Sequence, residues 1–395
     1  MKNRSKVSAV IEAAVVFALV FVTSFYDVFY SFDSLLRDKL YQTPRGINNK
    51  IKIIAIDDEA LREYGPFGTW SRGVYADIIN TLGEYPAAVA MDIMVFGDMD
   101  SQGDKALSEA CRNSGRVVAG SYISYTSAYK TDENGKPYID RFHIEQIEQP
   151  IAAADCITGF VNASPDDDGI VRSAFLTVSA PELYGDESFG SLAAETYYLY
   201  CKNTGTAANT PTLDDNGRMW ISYAGRPGDY EHISMSSLLD GSVDPRIFTD
   251  CIVLVGAYAS GLQDQFSVPN SSDQMFGVEI HANIIQGLLD GKCPVPANRV
   301  LSALAAAAAA VVSVAGLLEE HPVNIAATIR AAISIASTFF MIVFSFFISY
   351  YKKAVRPGRN RFFIPCEAPV TPLLPAAVVQ RKWTPPESWQ CPEWG

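Results

Sequence analysis

Histidine is scarce in this chain, with four residues among 395. That leaves little material for Ser/His/Asp or Cys/His nucleophilic catalysis, and no G-x-S-x-G elbow is present. The seven cysteines form no C-x-x-C pair and show no Cys/His spacing suited to zinc. Five of them (Cys111, Cys156, Cys201, Cys251, Cys293) fall within residues 31–299, and the odd number favours scattered buried thiols over a disulfide framework. The strand-and-turn at 252–261 is followed by neither G-x-G-x-x-G nor GK[ST], so it is not a phosphate loop, and no cofactor is expected. Basic charge is also short. The net charge is -13, and residues 31–299 hold 37 of the 44 acids but 20 of the 31 bases, a net of -17. A nucleic-acid partner is therefore disfavoured, because phosphate binding needs a basic face.

Long apolar runs are plentiful by contrast. About 20 apolar residues in a helix cross the hydrocarbon of a bilayer. Residues 7–26 qualify with Glu12 as their one charge, and Lys2, Arg4 and Lys6 precede them. Residues 300–318, rich in alanine, and 331–350, rich in Phe, Ile and Ser, carry no charge at all. The first run has a long apolar core and no clear A-x-A cleavage site, which favours an uncleaved anchor over a signal peptide. The positive-inside rule places the N-terminus in the cytoplasm and residues 31–299 outside the cell membrane. It then leaves Lys352, Lys353, Arg356, Arg359 and Arg361 outside, against the rule, a conflict that one more crossing helix would resolve. The expected division is an anchor at 1–30, an extracellular domain at 31–299, two further membrane helices at 300–351 and a tail at 352–395.

Within 31–299 the pattern predicts an α/β fold: a mixed, largely parallel sheet flanked by helices. Continuous apolar runs at 52–56, 87–96, 116–124 and 252–255 suit buried parallel strands, and helices at 72–82 and 105–114 alternate with them. Asn134-Gly135 marks a hairpin or loop tip, and 157–163 and 171–178 read as paired strands joined by the turn Pro165-Asp-Asp-Asp-Gly169. Helices follow at 191–201 and 234–239, and a last one opens at Val278.

Acids gather at or beyond strand ends: Asp57, Asp58, Asp92 and Asp98. Open α/β sheets bind ligands beyond the carboxyl ends of their strands. With Asp264 and His281 these acids compose a metal or acid–base site, or else they cap helices and turns, the simpler reading. The run Asp166 to Gly169 offers clustered oxygens to calcium but lacks the rest of an EF-hand loop, so a turn is favoured. Small residues at 256–261 suit close strand–helix packing. Whether a metal is bound stays open at this level.

A set of segments in order resembles the second type of CHASE domain, the extracellular sensor of bacterial cyclases and sensor kinases. They are FDSLLRDKL, KIIAIDDEAL, TWSRGVYADIINTL (Trp70, Arg72), AAVAMDIMVFGD, GFVNASPDDDGIVRSA (Asp168, Arg172), SLAAETYYLY, CIVLVGAYASGLQDQFSVP and FGVEIHANIIQGLLDG. They span about residues 31–291. The resemblance implies the input region of a bacterial signal-transduction receptor. It would respond to a small-molecule or envelope signal, sit in the membrane, pair as a homodimer and have no catalytic role of its own. Asp57, Asp92, Trp70, Arg72, Asp168, Arg172, Asp264 and His281 are its candidate ligand-binding or sensor-core residues. Two other readings remain: a fragment of a CHASE-containing adenylate/guanylate cyclase, and an extracellular metal-dependent hydrolase built on Asp57, Asp92 and Asp264. The family usually has three helices after the sensor where two are legible here. Eight of the 22 prolines and three of the five tryptophans fall in the last 42 residues. That tail shows no helical or strand period; it reads either as a natural, disordered proline-rich segment or, the favoured reading, as the product of truncation or frame-shift before an output domain.

Overall fold

The computed structural model of the chain describes residues 2–320, apart from 27, 29–33, 35–37, 40–44, 98–99, 132–134, 154, 215 and 295–298. The chain forms two compact units, one from residues 1–33 and 297–376 and the other from 34–296 with 377–395. The first contains helices α1 (Lys2–Phe25) and, later in the chain, α9 (Arg299–Glu320), which pack on each other. Phe17, Phe21 and Phe25 stack at four-residue spacing along α1. Ala303 and Ala307 are fully buried on α9, where small side chains let helix backbones approach.

Three membrane crossings were expected from the apolar runs. Among the described residues no helix is long and apolar enough to cross a membrane. The third run, 331–350, and the tail lie outside the described residues.

The second unit is built in chain order from β1 (Ile51–Ile56), α2 (Asp58–Tyr64), α3 (Gly73–Leu82), β2 (Ala88–Asp92), α4 (Ser101–Ser114), β3 (Val117–Thr131), β4 (Pro137–Glu148), β5 (Ile157–Phe160), β6 (Ser173–Phe175), β7 (Thr177–Ser179), α5 (Pro181–Tyr184), β8 (Ser188–Gly190), α6 (Leu192–Thr204), β9 (Arg218–Trp220), β10 (His232–Ser234), α7 (Met235–Leu239), β11 (Ile252–Ala257), β12 (Gln265–Phe266), β13 (Met275–Phe276) and α8 (Gly277–Leu289). Strands β10, β1, β11, β2, β3 and β5 lie side by side in that order, all parallel. The long β3 then pairs antiparallel with β4. The sheet is thus mixed and largely parallel, flanked by helices on both faces, as the sequence pattern predicts.

Alternation along the strands splits the core. Ile54, Ile56, Val89, Met91, Val253 and Val255 pack with the side chains of α2, α3, α4 and α7. Ile51, Ile53, Ala88, Ala90, Ile252 and Leu254 pack with those of α6 and α8. Burial on both faces explains why β11, and β1 apart from Lys52, read as apolar runs. Lys52 breaks β1, and its ammonium is paired with Glu231.

One expectation is corrected. Residues 157–163 and 171–178 do not pair with each other. β5 joins the parallel sheet beside β3, while β6 pairs with β9 and β7 with β8. The turn between them is held by Arg172 rather than by a ladder, because its guanidinium takes the carboxylates of Asp166 and Asp168.

Candidate functional site

β1 and β2 lead into helices on one face of the sheet, whereas β11, which lies between them, leads to α8 on the other. Loops that part in opposite directions leave a crevice at the carboxyl ends of such strands. A cavity of about 310 Å³ lies there. Asp92 at the end of β2, Asp264 in the loop after β11, Ser173 on β6 and His281 on α8 line it together with the uncharged Asn162, Ser164 and Gln263, and Ile280 and Ile284 on α8 form part of its apolar wall.

Two glycines make these approaches possible. Gly256, in register with Asp92, faces α8, and a Cβ there would lie 2.9 Å from Val278 Cβ. Gly277 opens α8, and a Cβ there would lie 2.5 Å from Asp264 Oδ2. Its absence lets the Asp264 carboxylate sit over the first turn of the helix, where the helix dipole favours negative charge. Of the small-residue turn 256–261, Gly256 thus sits where strand packs on helix, whereas a side chain at Gly261 would meet open space.

The ionisable groups of the cavity are strongly displaced. Burial pushes Asp92 up to about 7. Asp264 is pushed up to about 6 by burial and then by Asp92, against His281 and the Gly277 N–H. His281 is driven down to about 4 by burial, with Asp264 opposing. Nε2 of His281 lies 3.9 Å from Asp92 Oδ1, too far for a hydrogen bond. Asp92 Oδ2, His281 Nδ1 and Ser173 Oγ are buried with no hydrogen-bond partner. Near neutral pH the cavity thus holds a neutral imidazole and two carboxyls close to their titration points.

The other candidates lie elsewhere. Asp57 caps α2, accepting from the Ala60 N–H at 2.9 Å and the Ser234 hydroxyl at 3.2 Å. Trp70 is buried against Tyr64, Phe67 and Tyr75, and its indole N–H donates to the Gly65 carbonyl. Arg72 is buried, donating to the Phe96 and Gly97 carbonyls and to Asp104 at 2.7 Å. These three hold loops and helices in place. Asp92, Asp264 and His281 come together, and Asp57 is not with them. Among the described residues no three His, Cys, Asp or Glu side chains converge to hold a metal ion.

Arg172 and Asp168 form a second cluster. Arg172 is 1% exposed and gives six hydrogen bonds to three carboxylates. Asp38 takes three of them at 2.8–3.1 Å, Asp168 two at 2.9 Å and Asp166 one at 3.1 Å. Burial opposes the guanidinium charge, but the hydrogen bonds it donates to Asp38, Asp168 and Asp166 outweigh it and hold Arg172 above its ordinary range. Asp38 belongs to the segment that enters the unit, 134 residues from Arg172.

The exit helix grips the same entry segment. The Gln286 side chain on α8 accepts from the Asn48 N–H at 3.2 Å and donates to the Gly46 carbonyl at 2.9 Å. It also accepts from the Tyr230 hydroxyl at 3.0 Å. Asn283, one turn earlier, accepts from the Ala224 N–H at 2.9 Å, and Asn209 donates to the Leu288 and Leu289 carbonyls at the helix end. Asp38, Ser173 and Gln286 were not singled out by the sequence. A buried arginine beside an aspartate-rich turn is the one signal that could have prompted a search for a distant carboxylate.

A family model described as CHASE2 domain matches residues 13–318. No curated protein and no solved structure matches the chain.

Proposed function

We propose, since this chain belongs to the CHASE2 domain family, that it is the sensing region of a membrane-anchored bacterial receptor. CHASE2 is a sensor domain family rather than a catalytic one. In this reading the apolar runs at 7–26, 300–318 and 331–350 anchor the chain, and residues 31–299 face outward. The signal is a small molecule or an envelope condition, and the receptor works as a homodimer.

The observation that carries the reading is the junction of entry and exit. Asp38 and residues 46–48, on the way in, are fastened to Arg172 and to Gln286 on the last helix of the unit. That helix also lines the buried cavity through Ile280, His281 and Ile284. A ligand shifts a conformational equilibrium only by its differential affinity for two states. Here a ligand in the cavity would touch the element that holds both chain connections together.

A chimera tests the proposal. Residues 31–299 replace the sensor of a CHASE2 receptor whose cyclase output can be assayed. The chimera should lose the host's response to its own signal while keeping a regulated output. An unchanged response to the host's signal would refute the reading.

A further inference from the structure

We propose that the cavity between β2, β11 and α8 binds a small organic cation, an ammonium or amidinium group carried on an apolar body. The inference rests on the sensor reading and names its ligand class. Two carboxyls, Asp92 and Asp264, line the cavity, and no lysine or arginine does. An anion there would meet negative charge with no cation to offset it. A neutral apolar molecule would leave Asp92 Oδ2, His281 Nδ1 and Ser173 Oγ buried without partners. Unpaired polar atoms of that kind cost about 1–3 kcal/mol each. All three side chains are at least nine-tenths buried.

An ammonium has three donors and no acceptor. It supplies what the two aspartates lack, and the neutral imidazole can accept from it. The remaining wall, with Ile93, Val161, Phe266, Ile280 and Ile284, suits a hydrocarbon or aromatic body. The volume, about 310 Å³, is at the lower end of the range for small-molecule sites. The carboxylate of an amino acid would find no positive group in the lining, so a simple amine is favoured over a zwitterion.

The test is calorimetric titration of the full chain in detergent with 2-phenylethylamine and 3-methylbutylamine. The neutral analogue 2-phenylethanol and the anion 3-phenylpropanoate are run beside them. At least one amine should bind, with both controls at least tenfold weaker. Its affinity should rise from pH 5 to pH 8, as Asp92 and Asp264 ionise and His281 stays neutral. Asp92→Asn and Asp264→Asn, close in shape and uncharged, should each weaken it tenfold or more while leaving hydrogen-exchange protection of β2 and β11 intact. If either variant fails to fold, the wild-type pH profile and the two controls still decide. Equal binding of the alcohol, preference for the anion, or no amine binding at 10 mM overturns the proposal. Amine failure with a chimera that behaves as expected removes the ligand class and leaves the sensor reading standing.

Discussion

Arg172→Met is the substitution with the clearest expected cost. It removes a buried guanidinium of similar length and leaves three carboxylates facing one another. Their side chains are 6% (Asp38), 9% (Asp166) and 22% (Asp168) exposed. Breaking a buried ion pair by deleting one partner costs about 3–5 kcal/mol. Two terms pull the figure away from the top of that range. Asp168 can turn to water, and Arg218 lies 3.6 Å from Asp166 and can take part of its charge. A loss of about 4 kcal/mol is expected, a large share of the 5–15 kcal/mol typical of a whole domain.

The pH dependence separates charge from packing. Burial tends to raise Asp168, but hydrogen bonds from Arg172 and the Ile170 N–H lower its pKa on balance. Such a group adds stability above the ordinary carboxylate range and loses it as pH falls through the folded value. In the variant that contribution is gone, and the orphaned carboxylates favour their protonated forms. The gap between wild type and variant should therefore narrow towards pH 4. The assay is urea unfolding of the full chain in detergent at pH 7.5 and pH 4.5, followed by circular dichroism. A loss below about 1 kcal/mol at pH 7.5, or one that persists unchanged at pH 4.5, would refute the reasoning. Arg172→Lys should fall between, since a point charge cannot fork to three carboxylates.

Further outcomes follow from the same structure. Asp92 rises from an ordinary 3.8 to about 7, so its burial costs stability increasingly as pH climbs between those values, to about 4 kcal/mol above pH 7. Asp92→Asn should therefore stabilise the fold at pH 8 by up to that amount and do almost nothing at pH 4, and a gain independent of pH in urea melts would contradict it. His281 works in the opposite sense: its neutral burial costs stability as pH falls from 6.5 towards about 4, so His281→Gln should lessen acid sensitivity in that window, read from the same melts. Gln286→Ala deletes the contacts to Gly46, Asn48 and Tyr230, and should speed amide exchange at residues 46–50 at least tenfold, measured by hydrogen-exchange mass spectrometry. Gly256→Val places atoms against Val278 and should destabilise by about 1–3 kcal/mol in denaturant unfolding.

Apolar pattern and polar pairing differ in how far they can be seen from sequence. β1, β2 and β11 are legible because burial on both faces demands uninterrupted apolar residues, a constraint local to each strand. The order of strands in the sheet is not local, so nothing in 252–257 says that β11 inserts between β1 and β2. The same divide runs through the site. Asp92 stands out in the sequence because a charge at the end of an apolar run is conspicuous. Asp57 has the same sequence signature and yet caps a helix, since the Ala60 N–H is within its reach. Ser173 and Gln286 have no signature at all, because each matters only through atoms far away in the chain. The misplaced hairpin at 157–178 has the same origin. Alternation located strand-like segments, but Arg172, fixed by Asp38 from far upstream, decides how the turn between them closes.

Helix α8 touches both the cavity and the entry segment. Residues Gly277 to Leu288 are all buried, including Glu279, His281, Asn283 and Gln286. A buried helix could have been wholly apolar and more stable for it, because each buried polar side chain must be hydrogen-bonded to avoid a penalty. Most of these are committed to loops: Glu279 accepts from the Gly228 N–H, Asn283 from the Ala224 N–H, and Gln286 holds residues 46 and 48. His281 Nδ1, like the second carboxylate oxygen of Glu279, is unpartnered, and it lies beside the cavity. Ile280 and Gln286 are six residues apart, about 9 Å along the axis at 1.5 Å per residue. His281 and Gln286 lie on one helix, so a shift of α8 that seats a ligand at His281 would also bear on the Gln286 contacts with residues 46 and 48. Close packing around the helix leaves few intermediate positions, so the two ends should move together. The helix ends at Leu289, and nine residues separate it from Arg299, where α9 begins. In a sensor, that places the polar fastenings on the last element the chain traverses before the apolar run at 300–318.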